Sequence, residues 1–317
     1  MTVVQSPPPG PAGSPGGGAS GADSSQPKPR SSARRGRARL AASTLVLSLS
    51  ACLLGFAAWM TVGSRLYYDR VQHNDYASFR TELAQATAPT GPTDPADAKK
   101  LLPPGTPVAV LSIPEIGLNA VVLQGTTSDV LEGGPGHLRD TAMPGQAGVS
   151  EILGRRAAYG GPFARLSSLS PGAVFSVTTG QGVTRYRVLD VRRAGDPVPV
   201  LTSGKGRLIL GTADGPPFAP TGVVWVDADT VTAPRPTPAM VISASDMSPS
   251  ELAFGTETGV WLPLVLWGEG LLLAALAITW LRSHWGRWQT WTVAVPVLGY
   301  LGLGVADQVA RLLPNLM

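Results

Sequence analysis

The chain has 317 residues with one cysteine and three scattered histidines, which excludes a disulfide framework and a cysteine-based zinc cluster. Its 38 glycines and 30 prolines are too many for one compact domain and indicate tails and linkers. The net charge of +4 arises at the start, where residues 1–39 carry six basic side chains and one acid. An apolar run follows this basic block and no nucleic-acid recognition fold accompanies it, so membrane topology explains it better than nucleic-acid binding.

The first two segments are predicted to be a tail and a membrane helix. Residues 1–39 are rich in glycine and proline and predict a disordered, basic, cytoplasmic tail. Residues 40–63 predict a transmembrane helix, because Leu40 to Val62 is uncharged and long enough to cross about 30 Å of hydrocarbon. A cleaved signal peptide is the alternative, but the run is longer than a typical signal core and begins late in the chain.

Two further transmembrane helices are predicted at 259–281 and 291–313, joined by a cytoplasmic loop at 282–290. Glu269 and Asp307 interrupt these apolar runs. They are interpreted either as a relay or pairing site between the two helices, or as interfacial carboxyls that pack between helices. A sensor role for the whole helical part rests on these two acids alone.

Basic residues near the predicted spans determine the expected orientation. Arginines precede the first span and occupy the loop between the last two. The positive-inside rule places both clusters in the cytoplasm, and three helices satisfy both assignments. Residues 64–258 are then expected outside the membrane.

The external part is predicted to be a β domain between two linkers. Residues 64–107 predict a helical or coil stalk and a proline-rich linker, and residues 232–258 predict a second linker. Residues 108–231 alternate short β-branched runs with turn residues, which predicts an all-β barrel or sandwich of seven or eight strands. Short helices are expected near Thr127–Glu132 and Phe163–Leu169. The predicted strands are Val108–Ile113, Asn119–Gln124, Gly148–Leu153, Val174–Thr179, Thr184–Arg193, Arg207–Thr212 and Val223–Ala228.

Four blocks within this domain resemble the sortases, most closely the class E-like, actinobacterial type. The blocks are Ile113–Ala120, Gly134–His137, Thr141–Gly148 and Tyr159–Phe163. Sortases are membrane-anchored cysteine transpeptidases built on an eight-stranded β-barrel. The resemblance therefore implies such a barrel at the outer face of a bacterial plasma membrane, and the cleavage of a sorting signal with transfer to a cell-wall amine.

The resemblance places the three catalytic residues of the family at positions that cannot perform their chemistry here. The histidine position is Arg155, and a guanidinium stays charged at any relevant pH. The cysteine position is Ala213, which has no nucleophile. By spacing, the arginine position is Gly222.

Nearby hydroxyls are considered as replacement nucleophiles. Thr212 precedes the cysteine position, and Ser150 lies on the strand that leads to Arg155. A hydroxyl nucleophile needs an adjacent base, and His137 is the candidate, although it resembles a common non-catalytic histidine of the family. His137 is interpreted either as that base or as a hydrogen-bonded loop residue.

Charged residues at the same end of the barrel form a candidate binding cleft. Arg155 and Asp214 are expected to lie close together at its mouth, either as a pair that binds a carboxylate, peptide or partner, or as an ion pair that seals the groove. Glu151 is expected to pair with Arg156 or to mark a remodelled cleft.

The sequence therefore predicts a sortase-like β-barrel with three transmembrane helices that acts as a binding or scaffolding subunit without transpeptidase activity. An active acyltransferase or hydrolase with a non-cysteine nucleophile is the alternative. The expected partners are the lipid bilayer and sorting-signal peptides, an active sortase or another membrane protein. No metal, cofactor or nucleic acid is expected.

Overall fold

Eight strands close into a barrel in the computed structural model, which describes residues 53–202, 204–239 and 242–317. The spatial order is β10-β8-β7-β3-β4-β5-β6-β9, with β4–β5 and β6–β9 parallel and the other neighbours antiparallel. The barrel strands are β3 (Pro107–Ile113), β4 (Leu118–Gln124), β5 (Gly136–His137), β6 (Gly148–Leu153), β7 (Val174–Thr179), β8 (Gly182–Arg192), β9 (Gly206–Asp214) and β10 (Gly222–Thr230).

Alternating burial along the strands fills the barrel interior. Strand β8 shows the pattern clearly, since Tyr186 and Val188 are buried whereas Arg185 and Arg187 between and beside them are exposed. The Phe175 and Tyr186 rings stack inside with centroids 5.6 Å apart. The interior residues also include Leu111, Ile152, Leu208, Leu210 and Val226.

The seven strands predicted from the sequence agree with the structure to within two residues at each end. Strand β5 was not predicted, because two residues carry no periodicity. Its pairing with both β4 and β6 closes the barrel. The first expected short helix is present as α2 (Ser128–Gly133), whereas the second is only a 3-10 turn at Leu166–Ser168.

The segments predicted as a helical or coil stalk and as two linkers contain regular structure. The stalk is helix α1 (Ser64–Gln85), preceded by a π-helical turn at Trp59–Gly63. The proline-rich linker forms an antiparallel pair, β1 (Thr93–Asp94) and β2 (Asp97–Leu101). The second linker contains 3-10 turns at Ala244–Asp246, Pro249–Glu251 and Thr258–Val260, and its Glu251 is buried.

Helix α1 packs on the barrel through one amide side chain. Gln72 accepts from the Val121 backbone N–H at 2.7 Å and donates to the Gly133 carbonyl at 2.8 Å. These bonds join α1 to β4 and to the end of α2, and they satisfy one backbone group on each. The stalk is therefore part of the folded domain.

Two helices after the barrel are long and apolar enough to cross a membrane. They are α3 (Trp261–His284) and α4 (Arg287–Arg311), so the predicted loop at 282–290 shortens to Trp285 and Gly286. The described part of the chain holds these two candidate spans rather than the predicted three. Most of the first predicted span, at residues 40–52, lies outside the described residues, as does the predicted tail.

Candidate functional site

The three positions named in the sequence analysis are Arg155, Ala213 and Gly222. They lie at one end of the adjacent strands β6, β9 and β10. Gly154, just beyond β6, donates to Gly211 O at 3.0 Å, and the Thr212 hydroxyl donates back to Gly154 O at 2.8 Å. Arg155 is the next residue in the chain and therefore lies beside Thr212 and Ala213. Gly222 begins β10 opposite Asp214 in the ladder. The fold thus brings the three positions to one edge.

A tight loop after β6 fixes the position of Arg155. A Cβ on Gly154 would lie 2.6 Å from the Phe163 ring, so only glycine allows this approach. Tyr159, Gly160 and Gly161 have left-handed φ angles of 49°, 76° and 52°. Two of the three residues are glycines, which adopt such angles without steric strain. The loop closes where Phe163 N donates to Arg155 O at 3.1 Å.

The Arg155 side chain is fully buried and turns inward under α2. Its Nη2 donates to Ser128 O at 2.9 Å and to Ser128 Oγ at 2.7 Å, and its Cζ lies 4.9 Å from the centre of the Tyr159 ring. Burial lowers the pKa of Arg155 from its ordinary value. The guanidinium is therefore an internal group that Ser128 and the Tyr159 ring hold in place.

The expected pair between Arg155 and Asp214 is not formed. Asp214 remains at the surface and accepts from Arg193 Nε at 2.9 Å. Because the Arg155 side chain points inward to Ser128, the two charges have separate partners. Arg156 donates to Ala213 O at 3.2 Å, and no ion pair joins it to Glu151 among the described residues.

His137 is a buried, hydrogen-bonded residue that forms no described hydrogen bond with Thr212 or Ser150. Its Nε2 lies 2.9 Å from Ala142 O and its Nδ1 lies 3.0 Å from the Gln124 side-chain amide. The hydroxyl near the His137 Nε2 is that of Thr141, at 3.2 Å, and this hydroxyl donates to Leu138 O at 2.7 Å. Burial lowers the pKa of His137 to about 4, so the ring is neutral near pH 7. The Thr212 hydroxyl is engaged by Gly154 O. Ser150 Oγ is buried and forms no hydrogen bond with any described residue.

We use the word cleft for the space between α2, the adjoining ends of β6 and β9, and the second linker. It contains a buried carboxyl group that sequence reasoning missed. Glu132, on α2, is 1% exposed and lies 3.5 Å from the Arg311 guanidinium at the end of α4. Burial, opposed by the nearby Arg311 charge, raises the pKa of Glu132 to about 8. Glu132 directly follows Val130 and Leu131, and a charge beside this apolar pair is the sequence signal that could have identified it.

The second linker forms one wall of this cleft. Arg139 holds Glu251 through two side-chain bonds, one of them 2.7 Å long, and the Thr126 hydroxyl donates to Glu251 O at 2.6 Å. These contacts hold the Pro249–Glu251 turn against the loop that precedes α2. Neither residue was a sequence candidate, because a pairing across more than 100 residues leaves no local pattern.

The last described residues, 312–317, lie in the cleft between these walls. Asn315 and Leu316 are completely buried. Leu316 belongs to one apolar cluster with Leu131, Leu153 and Ala213. Ala213 is therefore covered by a residue of the same chain.

The two acids of the predicted spans lie in different surroundings. Glu269 is exposed on α3, whereas Asp307 lies 3.2 Å from Arg311, one turn later on α4. The two therefore do not form a pair, and a relay role stays a prediction. Within the described ranges, no group of three or more His, Cys, Asp or Glu side chains could hold a metal ion.

Comparisons with known proteins show which family the barrel sequence matches. The sortase domain family model matches residues 111–230. Sortase D5 transpeptidase of Clostridium perfringens is 20% identical over 51% of this chain and 99% of its own, with a TM-score of 0.43.

Two sortases of the genus Streptomyces are also similar. Sortase E1 of Streptomyces coelicolor, solved with a tripeptide in its active site, is 28% identical over 44% of this chain and 98% of its own, with a TM-score of 0.36. Sortase E of Streptomyces avermitilis is 29% identical over 41% of this chain and 91% of its own, with a TM-score of 0.35. No curated protein matches. On the family match and the observed eight-stranded barrel, residues 111–230 of this chain form a sortase domain.

Proposed function

We propose that this chain is a membrane-anchored sortase-domain protein of the bacterial surface that binds a peptide or protein partner without transpeptidase chemistry. The observation that carries the proposal is the side chain at the family's histidine position. Arg155 is buried and bonded to Ser128, and it cannot act as an acid or base. Ala213 and Gly222 offer neither a nucleophile nor a cation at the other two positions.

A replacement nucleophile has little geometric support. A serine or threonine becomes nucleophilic only when a base lies within hydrogen-bond reach. Thr212 donates to a backbone carbonyl, and His137 is bonded to Gln124 and Ala142. The Thr141 hydroxyl lies 3.2 Å from His137 Nε2, but it donates to Leu138 O. The alternative, an acyltransferase with a non-cysteine nucleophile, therefore needs a rearrangement of these side chains.

The proposed membrane placement has the N-terminus in the cytoplasm and the barrel outside. Helices α3 and α4 form a hairpin, and the basic residues Arg282 and Arg287 flank its Trp285–Gly286 connection. The chain returns to the barrel at residues 312–317. A hairpin of two spans returns the chain to the side from which it left, which agrees with this contact. The proposed partners are sorting-signal peptides, an active sortase or another membrane protein.

The test uses the full chain in lipid nanodiscs, because Glu251 and residues 312–317 pack on the barrel. The protein is incubated with sorting-signal peptides and an amine acceptor, and the products are measured by mass spectrometry. An active cysteine sortase run in parallel shows that the peptides can be cleaved. We expect no cleavage and no transfer by this chain. Turnover that disappears in a Thr212→Val or Ser150→Ala variant would establish the alternative.

A further inference from the structure

Residues 312–317 occupy the cleft as a short irregular segment rather than as a continuation of α4, and they include a turn in which Met317 N donates to Pro314 O at 3.1 Å. The helix ends at Arg311, and Pro314 prevents its extension because proline lacks the N–H and clashes with the preceding turn. Beyond that point the chain enters the cleft beside Arg155 and Ala213. The contacts there are of three kinds: an amide anchor, an apolar pocket and main-chain hydrogen bonds.

The amide anchor is Asn315. Its side-chain Nδ2 donates to Thr126 O and Leu252 O, both at 2.9 Å, and lies 3.3 Å from Ser250 O. These carbonyls belong to the loop before α2 and to the second linker, which are the two walls of the cleft. A ring of backbone acceptors selects a donor, so an aspartate at this position would be repelled. Asn315 N also donates to Gly255 O at 3.0 Å.

The apolar pocket receives Leu316. Leu131 of α2, Leu153 of β6 and Ala213 of β9 surround its side chain, which has no exposed surface. Full burial of a leucine side chain is favourable, because its apolar surface leaves water. Ala213 supplies the floor of this pocket, so the small methyl group at the family's cysteine position leaves room for a leucine.

Main-chain bonds complete the site on the β6 side. Arg156 N donates to Leu316 O at 3.0 Å, and Arg155 Nη1 lies 3.4 Å from Met317 O. Main-chain hydrogen bonds supply affinity for a peptide, and side-chain pockets supply selectivity. Both features are present here in one short segment.

We propose that Leu312–Met317 is a built-in peptide ligand, hereafter the latch, which closes the cleft and must leave it before another peptide can enter. The competing ligand is a short peptide that carries asparagine followed by a large aliphatic residue. This proposal rests on the proposed function, since it takes the cleft to be a binding site. It adds the regulation of that site and the chemistry that the site selects.

Tethering sets how strongly the latch competes. A segment attached to α4 has an effective concentration on the order of mM at the cleft. A free peptide with the same contacts therefore binds poorly at micromolar concentration while the latch is seated. Movement of α4 relative to the barrel would withdraw the latch, so the membrane hairpin controls access to the cleft.

The experiment measures how well the latch protects position 213 in full-length protein in nanodiscs. The only cysteine, Cys52, is replaced by serine, and Ala213→Cys introduces a single thiol beneath Leu316. The rate of labelling by a soluble maleimide is then followed by mass spectrometry. We expect slow labelling with the latch intact. Leu316→Asp or Asn315→Ala is expected to raise the rate about tenfold, the change in open population for a loss of about 1.4 kcal/mol.

Two controls keep the result interpretable. Asn119→Ala makes the same chemical change at an exposed position of β4 and should leave the labelling rate unchanged. A synthetic peptide Leu-Leu-Pro-Asn-Leu-Met at millimolar concentration should slow the labelling of the Leu316→Asp variant, and the same peptide with alanine in place of asparagine should not. Restored protection also shows that the variant is folded.

Three outcomes overturn the latch: fast labelling with the latch intact, labelling of the Asn315→Ala and Leu316→Asp variants that is as slow as with the latch intact, or no protection by the synthetic peptide. None of these readouts depends on turnover. Failure of the latch is therefore distinguishable from failure of the proposed non-catalytic function, which the peptide-cleavage assay tests.

Discussion

The Oε2 atom of Glu132 lies 3.5 Å from the Nη2 atom of Arg311, and this contact joins the barrel to the end of the last helix. Arg311 also lies 3.2 Å from Asp307, so one cation serves two carboxylates. The contact lies immediately before the latch. The protonation of Glu132 therefore bears on how the hairpin and the barrel hold together.

Stability is predicted to depend on the Glu132 proton. Burial raises the pKa of Glu132 from 4.5 to about 8, so between these values the folded state holds a proton that the unfolded chain releases. Stability therefore falls as pH rises through this window, by up to about 1.4 kcal/mol per pH unit. Thermal unfolding of wild type and Glu132→Gln from pH 5 to 9 measures this. The variant should have a shallower slope than wild type, because Glu151, whose pKa burial raises to about 7, still contributes. An unchanged slope would contradict the assignment.

His137 is predicted to give stability the opposite dependence on pH. Burial lowers its pKa from 6.5 to about 4, so the unfolded chain binds a proton that the folded state refuses. Stability from this residue is present above pH 6.5 and is lost as pH falls towards 4. The Glu132→Gln background removes the opposing contribution of Glu132. Adding His137→Gln to it should flatten the acid side of the stability profile, whereas an unaltered acid side would show that His137 is protonated in the fold.

The pair Arg139 and Glu251 is predicted to hold the second linker against the barrel. Arg139 Nε donates to Glu251 Oε2 at 2.7 Å, and Glu251 is 3% exposed. Removing one partner leaves the other poorly solvated, so each alanine variant should be less stable than wild type. A double-mutant cycle should give a coupling of about 1–3 kcal/mol. Additive losses would mean that the two side chains do not cooperate.

Two glycines near the cleft provide a matched pair of substitutions. A Cβ at Gly154 would meet the Phe163 ring at 2.6 Å, whereas a Cβ at Gly222 has nothing within 4 Å. Gly154→Ala should therefore lower the free energy of unfolding by about 1–3 kcal/mol, the usual cost of overpacking. Gly222→Ala should be neutral. Equal effects in a thermal unfolding assay would show that the loop after β6 yields more readily than its geometry indicates.

The barrel strands were predictable because each one carries its own signal. Alternation in Val174–Thr179 or Thr184–Arg193 reports a face buried in the core, and the turns between them contain glycine. The two-residue strand β5 was too short to show a period. The proline-rich stretch at 87–107 predicts an extended spacer from composition, and its pairing into β1 and β2 depends on partners outside that composition.

The candidate site was predictable in position and only partly in arrangement. Motif order placed Arg155 and Ala213 at one end of the barrel, and the strand ladder has them there. The direction of the Arg155 side chain depends on Ser128, which lies 27 residues earlier in the chain. The burial of Asn315 depends on carbonyls more than 60 residues away. Contacts of this kind are set by the fold and leave no local pattern in the sequence.

The most direct test of a cleft that binds without chemistry is recovery of a bound peptide. Full-length Leu316→Asp protein in nanodiscs is loaded with the synthetic peptide Leu-Leu-Pro-Asn-Leu-Met in the presence of an amine acceptor, washed, and analysed by intact mass spectrometry. We predict that the peptide is retained and is recovered with its mass unchanged, and that the protein carries no adduct. A shortened peptide, a transfer product or an acyl adduct on the protein would contradict the account.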